Sequence, residues 1–212
     1  MTLRQVVGAA LVVCAAAAPA AAQTTGTRVG GRVFVMGDWQ QMTAKDSFDA
    51  IADTSTVDGI GGGLELHRVW KRVFVRASAS KMEATGERIF VFNGTVFPLG
   101  QALTLTLTPI ELGAGWRFKP VGERVTPYLG AGALWMKFKE ESGGTSSDDV
   151  NETYSGAVVF GGLDVSVWRA VSAGAEVAWR TAKVKDPGGA FEAFGEDNLG
   201  GMSFRLMVSI GR

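Results

Sequence analysis

Arg32, Asp38, Glu65, His67, Arg76, Glu111, Arg117, Asp164, Glu176, Arg180 and Arg205 recur along this 212-residue chain at alternate positions, mostly among glycine and serine. Residues of these types on one face could pair as salt bridges, pass protons or ions along a line, or place a base beside a nucleophile. Acids and arginines in the set are equal in number, which suits mutual neutralisation. His67 is the only histidine, and no nucleophile stands at a spacing that would make it a general base. The sequence therefore predicts no catalytic residue, cofactor or metal site, and the protein is expected not to be an enzyme. Gly61-Gly62-Gly63 lacks the lysine and following helix of a phosphate loop, and small residues that let strands bend are the better reading. Asp148-Asp149 with Asn151 and Glu152 lacks calcium-loop spacing and reads as a solvated acidic loop.

The charges are positioned by strands. From Ser155 to Arg180 the chain alternates on both sides of a break at Trp168-Arg169-Ala170. Ala157, Val159, Leu163, Val165 and Val167 fall on one face, opposite Gly156, Gly162, Asp164 and Ser166. Beyond the break, Val171, Ala173, Ala175, Val177 and Trp179 oppose Ser172, Gly174, Glu176, Ala178 and Arg180. A period of two belongs to a strand, so this is a hairpin, strands six and seven. One face is apolar for its full length while charges sit among small residues on the other, the pattern of a lipid-facing hairpin in a transmembrane barrel.

The same pattern predicts strands at Gly31 to Met42, Asp58 to Arg68, from Val73, about Thr104 to Phe118, Val125 to Lys139 and Leu199 to Ile210. Gly86 to Leu99 is ambiguous: Asn93-Gly94 between apolar runs signals a hairpin, formed by strands three and four running beyond the membrane or by a small extra hairpin. Long connections near 43–57, 84–102, 140–152 and 186–197 alternate with short ones near 69–72, 119–124 and 168–170. That order matches long extracellular loops and short periplasmic turns. Trp70, Trp116 and Trp168 lie beside the short turns and Trp39, Trp135 and Trp179 toward the long loops, the two belts of membrane-interface aromatics. The fold class read here is all-β: an eight-stranded antiparallel up-and-down transmembrane β-barrel.

Residues 1–22 read as a cleaved secretory signal, with Arg4, an apolar core from Val6 to Val13, and Ala20-Ala21-Ala22 before Gln23. The apolar run is too short for a transmembrane helix. Cys14, the only cysteine, follows Val13 rather than the small residue a lipoprotein signal wants. The barrel is expected to occupy 23–212, about 190 residues in one domain. Removing Arg4 from a chain with 21 basic and 21 acidic residues leaves one net negative charge with His67 neutral, no footprint for nucleic acid.

At PYLGAGALW, and again at GGLDVSVW and VSAGAEVAWR, the chain resembles the small eight-stranded outer-membrane barrels of the OmpA, OmpX and Opa-like group. The resemblance implies a Gram-negative outer membrane, contact with its lipid and lipopolysaccharide, and insertion by the barrel-assembly machinery as a monomer. Such barrels usually end on an aromatic residue, whereas this chain ends Ile210-Gly211-Arg212, a departure in the assembly signal; the group's peptidoglycan-anchoring role is not carried over. Barrel proteases and acyltransferases use a histidine near the extracellular rim, but His67 falls at the periplasmic end of strand two. Gly37-Asp38-Trp39 mimics a lipocalin signature, yet a lipocalin carries apolar residues inside and a helix after the barrel. The expected function is structural or surface-interacting, with a salt-bridged, plugged lumen and a possible extracellular ligand at the loops, chiefly 84–102 and 140–152. The alternative is a narrow channel or OmpW-like route for small apolar molecules, hinted at by Phe34, Met36, Leu103, Leu105 and Leu107 pointing inward in the upper lumen.

Overall fold

The computed structural model describes residues 29–92, 95–142, 150–185 and 189–211. The signal segment, Cys14 and Asp148-Asp149 lie outside them. Eight strands, β1 (Gly30–Met42), β2 (Thr56–Trp70), β3 (Val73–Phe92), β4 (Thr95–Arg117), β5 (Val125–Ser142), β6 (Val150–Ser166), β7 (Val171–Ala182) and β8 (Gly201–Gly211), form one closed barrel. Each pairs antiparallel with its sequence neighbours, and β8 returns to β1 through pairs such as Asp38 with Arg205. Closure removes both sheet edges, which a backbone in lipid requires.

Strand β8 shows why the sequence folds this way. Met202, Phe204, Leu206, Val208 and Ile210 are exposed, while Ser203, Arg205, Met207 and Ser209 are buried. Water would reverse that choice; a wall facing hydrocarbon enforces it. The lipocalin arrangement fails on the same ground, because Asp38 is fully buried and Trp39 stands 42% exposed on the outer wall.

Four connections hold more regular structure than the sequence reading gave them. The stretch 43–57, expected to be a polar connection, holds helix α1 (Lys45–Ala52), whose Phe48 and Ile51 are buried on one side. The stretch 84–102, expected as a long loop, is strand: β3 and β4 stay paired from Ala84–Leu105 to Phe92–Thr95, with an irregularity between Glu87 and Ile89. The two strands thus form one long ribbon, the first of the two arrangements expected there. The last connection holds a short helix, α2 (Gly189–Phe194). Strand β5 also reaches Ser142 and β6 starts at Val150, so both ends of 140–152 are strand.

Candidate functional site

The lumen divides into two layers. Toward the end that carries the short turns, inward side chains from seven strands form one ion-pair network. Arg32 bonds Asp164 and reaches Glu65 at 3.1 Å, and Arg117 bonds Glu65 at 2.7 Å and Asp164 at 2.8 Å. Glu65 also accepts from Arg76 at 3.0 Å, and Arg76 bonds Glu176 at 2.5 Å. Glu176 passes the chain to Arg205 at 2.8 Å, which bonds Glu111. Arg180 joins Glu111 at 2.8 Å to Asp38 at 2.6 Å. Hydroxyls fill the remaining acceptor positions: Ser80 donates to Asp38 at 3.0 Å, Ser203 donates to Asp38, and Ser78 donates to Glu111 at 3.3 Å.

The line is continuous from Asp164 to Asp38. Every carboxylate in it meets at least one guanidinium, and its formal charges cancel. Arg180 and Arg205 are 0% and 1% exposed. Charges so placed are tolerable only in this arrangement, because an uncompensated ion in low dielectric costs several kcal/mol. Forked, permanently charged guanidinium groups suit a network in which each cation serves two acids. His67 stands apart. It is half-buried at the short-turn end of β2, its backbone paired with Gly30 and Phe74, and its side chain makes no hydrogen bond or ion pair among the described residues.

Sequence reasoning missed an aromatic layer within this network. The Arg76 guanidinium lies 4.9 Å to 5.4 Å from the ring centres of Phe34, Phe74, Tyr128 and Phe160. Phe74 meets Tyr128 edge-on at 5.9 Å. Cation–π contact is strongest where the cation is desolvated, as here. The signal was the inward glycines. A Cβ on Gly115 would stand 2.4 Å from Phe74, and one on Gly130 2.5 Å from Phe160. The glycines make room for rings from neighbouring strands.

The other layer, toward the long connections, is apolar. Met82, Leu103, Leu105, Leu107, Leu134, Met136 and Phe138 line the wall, and Phe48 and Ile51 of α1 pack among them with Ala190 of α2. Phe191 of α2 meets Phe48 at 6.1 Å and Phe138 at 6.0 Å. The segment that follows α2 is latched to α1, because Glu196 accepts from the backbone N–H groups of Asp46 at 3.1 Å and Ser47 at 2.9 Å. Of the five residues expected to make the upper lumen apolar, Leu103, Leu105 and Leu107 lie in this layer. Phe34 and Met36 lie with the aromatic rings below it.

All six tryptophans point outward and are exposed. Trp70 and Trp116 meet at Val73 beside one short turn, and Trp168 lies on another. Trp39, Trp135 and Trp179 stand farther along their strands, paired with Asp58, Ile110 and Met202. Among the described residues no group of three metal-ligating side chains occurs.

The chain belongs to the outer membrane protein beta-barrel domain family, whose model matches residues 7–210. It is an outer-membrane protein. No curated protein matches it in sequence. Among solved structures it is similar to Ail, the attachment invasion locus protein of Yersinia pestis, solved in complex with the heparin analogue sucrose octasulfate. That match has a TM-score of 0.54 at 10% identity, over 88% of this chain and 100% of that one. Neisserial surface protein A matches with a TM-score of 0.52 at 13% identity, over 86% and 95% of the two chains. A major outer membrane protein from Thermus thermophilus matches with a TM-score of 0.52 at 9% identity, over 86% and 99%. At these identities the likeness is one of fold.

Proposed function

We propose that this protein is a closed outer-membrane platform that holds the upper β3–β4 ribbon out for contact with other surfaces. The observation that carries this is the ribbon's composition. From Ile89 to Leu99 it has no charged residue. Phe90 pairs with Phe97 and Val91 with Val96 on opposite faces, and Phe90, Val96, Phe97 and Leu99 are exposed. Apolar surface of this kind beyond a membrane marks an interaction site. Among the described residues both edges of the ribbon lack a partner strand, since β2 leaves β3 at Glu83 and β5 leaves β4 at Leu103. The ribbon could therefore also receive an added strand. Beneath it, the filled lumen supports a structural rather than a conducting body, because eight strands enclose room for side chains and little more. The two sets of tryptophans serve as anchors at the two membrane interfaces. Insertion is the work of the barrel-assembly machinery, and the working form is a monomer.

The test is partition of cells displaying the protein between buffer and hexadecane, with a variant in which Phe90 and Phe97 are serine. The protein should raise partition into hydrocarbon and the variant should not, with heat-dependent electrophoretic mobility intact in both. Equal partition would remove the ribbon from the reading.

A second reading, a route for small apolar molecules, is favoured by the apolar upper lumen. Planar-bilayer recording separates the two: a closed platform gives no sustained current. Steady current that disappears on altering Arg117 or Glu111 would favour a gated path through the network.

A further inference from the structure

A groove of about 350 Å³ opens on the outer wall of the barrel, lined by Lys81, Thr106, Thr108, Lys137, Lys139, Glu141 and Asn151. These are outward-facing positions on β3, β4, β5 and β6. Lys137 is paired with Thr108 and Thr153, and Lys139 with Thr106 and Asn151. The groove belongs to neither the lumen nor the ribbon tip.

Its height on the wall is informative. Two residues nearer the middle of the membrane on the same strands lie Ala79, Ile110 and Trp135, with Ile110 paired to both of the others. A strand rises about 3.3 Å per residue, so Lys81 and Lys137 stand roughly 7 Å beyond this apolar row and Lys139 roughly 13 Å. Three ammonium groups with threonine hydroxyls just outside the hydrocarbon boundary match the phosphates of an outer-leaflet lipid whose chains lie against Ile110 and Trp135.

Glu141 lines the groove and Glu83 bonds one of its lysines from outside the lining, and the placement of both matters. Glu83 bonds Lys81 at 2.5 Å and Glu141 bonds Lys139 at 2.6 Å. Each acid is two residues farther from the membrane than its lysine, so the side facing lipid is positive. Both pairs are exposed, and such pairs are weak enough to exchange for a phosphate. Lys137 meets no carboxylate among the described residues.

We infer that this groove is a binding site for the phosphorylated headgroup of an outer-leaflet glycolipid, seated between Lys81, Lys137 and Lys139. The experiment is native mass spectrometry of the detergent-released full chain with bisphosphorylated lipid A. The comparisons are the same lipid dephosphorylated, the variant K81Q/K137Q/K139Q, and the variant K183Q/K185Q, which removes two exposed lysines elsewhere on the protein. Each basic residue near a charged lipid surface contributes enough that losing three should weaken retention about a hundredfold. The wild type and K183Q/K185Q should keep the lipid; K81Q/K137Q/K139Q should lose it, and dephosphorylated lipid should be lost by all. Equal retention by the triple variant, or of dephosphorylated lipid, would overturn the proposal. So would inorganic pyrophosphate displacing the lipid at equal concentration, since the groove would then be a site for soluble anions. All three proteins must show the same heat-dependent mobility, which exposed lysine-to-glutamine changes leave intact.

Discussion

Arg76 on β3 and Glu176 on β7 meet at 2.5 Å across the width of the barrel, four strands apart whichever way the wall is followed. The contact ties opposite walls through the lumen, and Glu176 shares its other oxygen with Arg205. Glu176→Ala leaves both guanidinium groups short of an acid and should cost about 3–5 kcal/mol of unfolding free energy. Replacing the pair together, as Arg76→Met with Glu176→Leu, should cost much less. Urea unfolding in detergent micelles measures both. A double variant as damaged as the single one would show that the two residues are not coupled.

The rings around Arg76 depend on missing side chains. Gly130→Ala puts a methyl group against Phe160 at 2.5 Å and the Ala114 carbonyl oxygen at 2.8 Å, which should cost about 1–3 kcal/mol. Gly122→Ala, with nothing within 4 Å but a φ of +65°, should cost less, through backbone strain alone. Trimming the ring with Phe160→Leu should recover part of the Gly130→Ala loss, because that contact is with a side chain. Refolding yield across the three variants checks the order.

Glu196 holds α1 by its first turn, where backbone N–H groups have no partner within the helix. Glu196→Ala should loosen the apolar cap by about 1 kcal/mol. Hydrogen exchange should quicken over residues 45–52 while the ion-pair strands stay protected. Uniform quickening would mean that the cap and the network unfold as one unit.

The outer wall can be tested for lipid directly. Leu206 faces outward in the middle of β8 between Gly37 and Ala175. An arginine there should cost about 2–4 kcal/mol in a bilayer and block assembly, whereas Thr108→Arg in the lysine groove should be tolerated. Folding into vesicles, followed by the change in gel mobility, distinguishes them. Equal tolerance would mean that Leu206 does not face hydrocarbon.

How much could be read from sequence depended on contrast between the two faces of a strand. In β8, Arg205 between Phe204 and Leu206 left no doubt about which side faced the lumen. In β5 both faces are small or apolar, so inward Tyr128, Leu134, Met136 and Phe138 were not separated from outward Leu129 and Trp135. The aromatic layer was hidden there, and the inward glycines of its neighbours were read only as bends. Helix α1 was hidden for another reason. Its residues read as polar overall, and only Phe48 and Ile51, three apart, mark a buried side that becomes apparent once a greasy lumen lies beneath it. The β3–β4 ribbon was read correctly as one of two arrangements, but its length above the wall depended on pairing that composition alone does not reveal.

The neutral network also imposes an order on assembly. Asp38 lies on the first strand, while its cationic partners Arg180 and Arg205 lie on the last two, about 140 or more residues away along the chain. A sheet inserted with the β1–β8 seam still open would carry Asp38 into lipid apart from the arginines that neutralise it, the situation that a bilayer penalises most. Half-built intermediates are therefore disfavoured by their own interior, and sealing the seam discharges the penalty all at once. The buried charges serve as a checkpoint, admitting to the membrane only a cylinder that has already joined its two ends.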